Sequence, residues 1–207
     1  MHNRLPTGSI IGGIIQCYDS YMTKFLILHG TDATPNSNWF MWLKGVLIGK
    51  GHQVWLPQLP DADKPNTETY NTFLLANPKF TFDKDTIIIG HSSGAVEALS
   101  LLQHLPKGTK IKAAILVSAF KDNLTWDSLE GLFVEPFDFK TIMQHCPYFT
   151  FIYSDNDPYV PAEHAEYLAS QTKGKLVFVE GQGHFNTELS PDYRQFPQLL
   201  EIIDSVA

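Results

Sequence analysis

The sequence is poor in cysteine, in charge overall and in any concentration of positive charge. Its two cysteines, Cys17 and Cys146, are too few for a disulfide framework and stand in no ligand motif. That favours a reducing compartment, the cytoplasm. Charged residues make up 18% and the formal net charge is −7, with no basic stripe, arginine-rich run or zinc-finger spacing, so nucleic-acid binding is not expected. No apolar run approaches the roughly 20 residues of a membrane span. The histidines show no metal spacing such as H-E-x-x-H, and neither a Walker loop nor a G-x-G-x-x-G after a strand is present, so no metal or cofactor is implied.

What the chain does have is apolar substance. It is 43% hydrophobic and 13% aromatic over 207 residues, enough to bury a core without cross-links. Six short apolar runs recur: Phe25–Leu28, Val54–Leu56, Ile87–Ile89, Ile111–Val117, Phe149–Tyr153 and Leu176–Val179. Most lack alternation, as strands of a parallel sheet covered on both faces do. Helical patterns fall between them, at Trp39–Lys50, Thr67–Ala76, Gly94–Leu105, Pro161–Thr172 and Tyr193–Val206. In the first, Trp39, Trp42, Leu43 and Val46 share a face. Strand–helix alternation predicts an α/β fold with right-handed crossovers. No repeat or linker interrupts residues 22–207, which read as one domain. Residues 1–21 carry one arginine and a short apolar patch but no small-x-small cleavage site. They read as a leader, vector-derived or misassigned, outside the fold.

The stretch Lys121–Pro147 breaks the rhythm. It is long for a loop plus a helix and carries Leu124, Trp126, Leu129, Leu132, Phe133, Phe137 and Phe139. It is either a crossover helix with a ragged start or a small lid whose aromatic residues, Trp126, Phe133 and Phe137 among them, line a pocket.

Chemistry is suggested by Gly90-His91-Ser92-Ser93-Gly94, a G-x-S-x-G at the end of one strand and the start of the next helix. By composition alone such a pentapeptide arises by chance in about one chain in fifteen of this length. The strand–turn–helix setting is what adds specificity, because a nucleophile elbow needs it. An N-capping serine is the plain alternative. A serine nucleophile requires a histidine base and an orienting acid, which in this architecture follow the fifth and sixth strands. "SDNDPYVP" and "EGQGHFN" occupy those slots. Asp157 is the favoured acid over Asp155, whose ordinary role is turn chemistry, and His184 is the base. Oxyanion donors are expected in the backbone N–H groups of Ser93, at the helix N-terminus, and Thr31, after the first strand. His91 is expected to be a structural neighbour of the serine, and His29 to shape the oxyanion loop. Trp39 either belongs to the buried face of its helix or forms a pocket wall.

With "TIIIGHSSGA", "HCPYFTFIYSDNDPYVP", "GHFNTEL" and the tryptophan-rich "NWFMWLK" in hand, the chain from Met22 onward resembles the small α/β-hydrolase-fold serine hydrolases grouped with retinoblastoma-binding protein 9 and the bacterial YdeN protein. The resemblance implies a compact α/β-hydrolase fold with six parallel strands in the order 2-1-3-4-5-6. It also implies a Ser–His–Asp triad, carried onto Ser92, His184 and Asp157. The leader departs from that pattern. No L-x-C-x-E motif surrounds either cysteine, so a retinoblastoma-protein partner is not carried over and any protein partner is unknown. The expected activity is hydrolysis of a small-molecule ester, thioester or amide with a small or medium acyl group, through an acyl-enzyme on Ser92. The alternatives are an aminopeptidase-like amide hydrolase, with Asp32, Glu135 or Glu163 holding a substrate amine, and a non-catalytic binding module on the same fold.

Overall fold

The computed structural model describes residues 22–206, together with two short strands, Ile10–Ile11 and Ile14–Ile15, paired antiparallel. The leader expected over residues 1–21 otherwise falls outside the described residues.

Six parallel strands make the sheet: β1 (Lys24–Leu28), β2 (Gln53–Trp55), β3 (Thr86–His91), β4 (Ala113–Val117), β5 (Phe149–Tyr153) and β6 (Lys175–Phe178). Their spatial order is β2-β1-β3-β4-β5-β6, the order expected above. Strands β1, β3 and β4 are buried along their whole length, as their unbroken apolar runs require. The edge strand β6 is not. Leu176 and Phe178 stand exposed, on the outermost strand, which pairs with β5 alone.

Alternation along each strand feeds two cores. Phe25, Ile27, Ile87, Ile89 and Ile115 face α1 (Phe40–Gly49) and α6 (Pro197–Asp204). Leu26, Leu28, Ile88, Leu116 and Phe151 face α2 (Thr67–Leu75), α3 (Ser93–His104), α4 (Phe139–His145) and α5 (Ala162–Thr172). In α1 the buried stripe is Phe40, Leu43 and Leu47, so the face is turned from the one expected and leaves Trp42 and Val46 half-buried. The last helix begins four residues later than expected. A 3₁₀ turn at Pro191–Arg194 ends before it, and Phe196 is held at φ −141° ahead of Pro197, since a residue preceding proline is pushed out of the helical region. The Lys121–Pro147 stretch holds a 3₁₀ helix at Asp127–Leu132 followed by the crossover helix α4. Among the described residues no helix is long and apolar enough to cross a membrane.

Helix α3 runs through the middle of the molecule and is buried from Ser93 to Leu102. Glu97 lies within that span at 0% exposure, and among the described residues neither carboxyl oxygen has a hydrogen-bond partner. Burial pushes its carboxyl well above the usual range. The unfolded chain releases that proton near the ordinary glutamate value while the folded chain keeps it. Stability is therefore lost as pH rises above about 4.3, at about 1.4 kcal/mol per pH unit until the folded value is passed. Glu97→Met, apolar and similar in length, is expected to be more stable than wild type at pH 7.5, with the advantage shrinking toward pH 4. Urea midpoints across that range check it; a difference independent of pH would mean that the carboxyl ionises equally in both states.

Candidate active site

Loops beyond the carboxyl ends of the strands bring Thr31, Ser92, Trp126 and His184 to one cavity of about 540 Å³. Ser92 sits at its base, where strand becomes helix. Its N–H continues the sheet by donating to the Val117 carbonyl at 2.9 Å, while its own carbonyl accepts from Ala95 N at 2.8 Å and starts α3. One residue can serve both only by turning sharply, and Ser92 stands at φ 56°, ψ −125°. That conformation costs a non-glycine residue about 1–3 kcal/mol. The turn is possible because of its flanking glycines. A Cβ on Gly90 would lie 2.5 Å from Ala95 Cα. One on Gly94 would lie 2.5 Å from the His29 carbonyl oxygen and meet that of Leu28. Helix and strands thus approach to backbone contact.

His184 Nδ1 donates to Asp157 Oδ2 at 2.8 Å, with the two side chains 7% and 2% exposed. The neutral ring then presents Nε2 as an acceptor. Asp157 is heavily supported. Its Oδ1 accepts from Tyr159 N (2.9 Å) and Val160 N (3.0 Å), and Oδ2 also accepts from the Ser118 hydroxyl (2.9 Å). Burial works to raise the Asp157 carboxyl, but the His184 bond and charge and the two amides outweigh it and hold the carboxyl below the usual range. Ser118, itself at φ 49° just past β4, was not anticipated; nothing local in "VSAF" marks a serine that reaches across to the next strand's loop. Asp155 does not approach the imidazole. It accepts from Gly181 N at 2.7 Å, a loop-bracing role.

Ser92 Oγ and His184 border the same cavity but make no hydrogen bond to each other, a contact that often tightens only with a reacting group in place. The N–H groups of Thr31 and Ser93 carry no hydrogen-bond partner among the described residues. Thr31 is aimed by His29, whose Nδ1 donates to the Gly30 carbonyl at 3.0 Å while its Nε2 accepts from Leu59 N at 3.0 Å. Fixing that carbonyl fixes the whole peptide plane, and with it the opposite-pointing Thr31 N–H. Burial pushes the His29 imidazole down. It drives His91 further, to about 3, with His184 beside it adding to the effect. His91 is therefore neutral, and its Nε2–H donates to the His184 carbonyl at 2.8 Å. It steadies its neighbour's backbone, as a structural role requires.

The pocket residues divide. Trp126 lines the cavity with Leu124, Phe120, Leu129 and Val160, its ring edge-on to Tyr159. Phe133 and Phe137 do not; they border a separate depression with Lys121 and Tyr167, because the 3₁₀ turn carries them past the rim. Trp39 does not reach the cavity either. It is fully buried in the α1–α6 core, and its Nε1 donates to the Phe185 carbonyl at 3.1 Å. Of the three acids considered for holding an amine, Asp32 lines the cavity, whereas Glu135 and Glu163 do not; Glu188 does so unexpectedly, accepting from the Tyr159 hydroxyl at 2.9 Å.

Comparison with known proteins agrees with this architecture. The family described as serine hydrolase matches residues 25–205. Over 166 residues the chain is 31% identical to YdeN of Bacillus subtilis (strain 168), covering 79% of this chain and 87% of that protein. Over 190 residues it is 28% identical to the serine hydrolase RBBP9 of Rattus norvegicus, covering 89% and 95% respectively. The crystal structure of the B. subtilis ydeN product superposes with a TM-score of 0.83 at 27% identity, over 89% of this chain and 98% of that one. Est1E of Butyrivibrio proteoclasticus, solved with ferulic acid, shares the fold alone, with a TM-score of 0.63 at 15% identity over 91% and 92% of the two chains.

Proposed function

The chain belongs to the serine hydrolase family and is a hydrolase of the α/β-hydrolase fold, and on that premise we propose that Ser92 is its nucleophile, His184 its base and Asp157 the orienting acid. Ser92 Oγ attacks the carbonyl carbon of an ester, thioester or amide as His184 Nε2 takes its proton. The oxyanion accepts from the Thr31 and Ser93 N–H groups. His184 returns the proton to the leaving group; water, deprotonated by the same imidazole, then attacks the acyl-enzyme, and the acid is released as that proton passes back to Ser92 Oγ. The observation that carries the reading is the near-dry His184–Asp157 pair opening onto the same cavity as a serine in a strained turn. The thiol of Cys146 offers no rival nucleophile: it is buried, and burial pushes it up to about 12.

The substrate is a small molecule with an apolar, small or medium acyl group. Phe120, Leu124, Trp126, Leu129 and Val160 form an apolar wall on one side of Ser92. A second reading, hydrolysis of an amide bearing a free amine, is favoured by one observation, the Asp32 carboxylate on the same cavity. We also place the protein in a reducing compartment, in keeping with the free Cys146.

A fluorophosphonate probe tests the assignment. Labelling of wild type is expected, with the adduct mapped to Ser92 by peptide mass and lost in Ser92→Ala and His184→Ala. Folded wild-type protein that takes no label would overturn the nucleophile and bring forward a binding role, one that Ser92→Ala would leave intact.

A further inference from the structure

The loop after β5 and the loop after β6 are joined along four successive residues of each. The Asp155 carboxylate accepts the Gly181 N–H at 2.7 Å, the Ser154 hydroxyl accepts the Gln182 N–H at 2.8 Å, and the Asn156 side-chain carbonyl accepts the Gly183 N–H at 2.6 Å. The fourth link is His184 to Asp157. The Ser154 hydroxyl in turn donates to Asn156 Oδ1 at 2.9 Å. The links are unequal. Gly181 and Gln182 are exposed, so water can replace their partners; Gly183 and His184 are buried, and the Gly183 N–H has no such substitute. Asn156 therefore holds the residue immediately before the imidazole. On the far side, His91 and Trp39 pin the carbonyls of His184 and Phe185. Three side chains from three different parts of the fold thus hold backbone groups of three consecutive residues, Gly183, His184 and Phe185.

We propose that Asn156 is a positioning residue for His184, its Oδ1 setting the height of the histidine loop so that Nε2 is delivered to Ser92. This rests on the reading of His184 as the base. Asn156 does not border the cavity, so its loss acts through His184 and not through substrate binding. A base displaced by a fraction of an ångström to an ångström loses about 10- to 100-fold in rate.

The test uses the full chain with a p-nitrophenyl ester, and Asn156→Leu, Asn156→Asp and His184→Ala compared with wild type. Asn156→Leu keeps the branching at Cγ and lacks the acceptor; kcat is expected to fall about 10- to 100-fold with KM little changed and the fluorophosphonate labelling rate falling in parallel. Asn156→Asp keeps the acceptor and is expected to retain most of kcat. The titratable groups already around His184 are Asp157, His91 and Tyr159, with Glu188 held by the Tyr159 hydroxyl. A further carboxylate there favours the imidazolium, so the acid limb of kcat/KM moves to higher pH in Asn156→Asp. If His184→Ala is inactive while Asn156→Leu turns over like wild type, the positioning role is overturned and the base assignment stands. If His184→Ala stays active, the base assignment falls and the proposal with it. Equal losses in Leu and Asp variants, with an unmoved pH profile, would reduce Asn156 to a structural residue. Should Asn156→Leu not fold, the retained kcat and displaced acid limb of Asn156→Asp decide.

Discussion

Ser92→Ala is expected to lower kcat/KM for an activated ester by about 10⁴-fold or more while leaving the fold intact. Removing the nucleophile from a hydrolase of this kind leaves only the rate supplied by binding and the oxyanion donors. The fold is not at stake. Ala occupies the φ 56° position no worse than Ser, both being non-glycine residues with a Cβ, and no side-chain cap from Ser92 to the helix is lost, because there is none. Circular dichroism and the thermal midpoint should match wild type, and turnover should fall to background. A loss of only a few-fold in a folded variant would remove Ser92 from the mechanism.

Gly94→Ala is expected to have the largest effect on stability. The new methyl would lie 2.5 Å from the His29 carbonyl oxygen and also meet that of Leu28. Both are backbone atoms at the end of β1, and neither can rotate away. The gain of about 1 kcal/mol in helix propensity from replacing glycine is outweighed by overpacking, which costs about 3 kcal/mol at the upper end of its usual range, where backbone must move. A net loss of about 2 kcal/mol or more lowers the thermal midpoint by about 4–8 °C in a chain of this size. The displaced β1 end also carries Gly30 and Thr31, so activity should fall further than stability alone explains. Gly45→Ala is the control. Its Cβ meets nothing within 4 Å in α1, and the propensity term acts alone, leaving stability unchanged or slightly raised. Equal midpoints for the two variants would contradict the close contact at Gly94.

Much of this arrangement was legible because it is local or follows from topology. The β3–Ser92–α3 turn is written in five consecutive residues. The slots after the fifth and sixth strands follow from strand order, so Asp157 and His184 could be named before their contact was seen. What was not legible depends on orientation or on distant partners. Whether Trp39 faces a core or a cavity depends on the rotation of α1, which a helix of nearly continuous apolar character does not reveal. Phe133 and Phe137 follow a 3₁₀ turn whose direction no periodicity encodes. Ser118 and Asn156 act across 39 and 27 residues of sequence, and a lone serine or asparagine in a loop carries no mark of its partner. Pro197 was a visible signal, and it places the start of α6 after Phe196.

The pairing of Leu28 with Gly90 in the β1–β3 ladder has one more consequence. It brings the chain beyond β1 against the turn at Ser92, where a Cβ on Gly30 would lie 3.0 Å from the Ser92 Cβ. On the proposed mechanism the Thr31 and Ser93 N–H groups flank that approach and would both reach one oxygen at about 2.9 Å. The opening offered to the reacting carbonyl is thus gauged by the sheet, while the cavity walls at Asn36–Asn38 and Leu124–Trp126 belong to loops. Volume changes under the sheet, at Ile27 or Ile89, would act like a miscut ruler and slow every substrate alike. Exchanging the loops would change which acyl groups are accepted and leave the chemistry at Ser92 at its own pace.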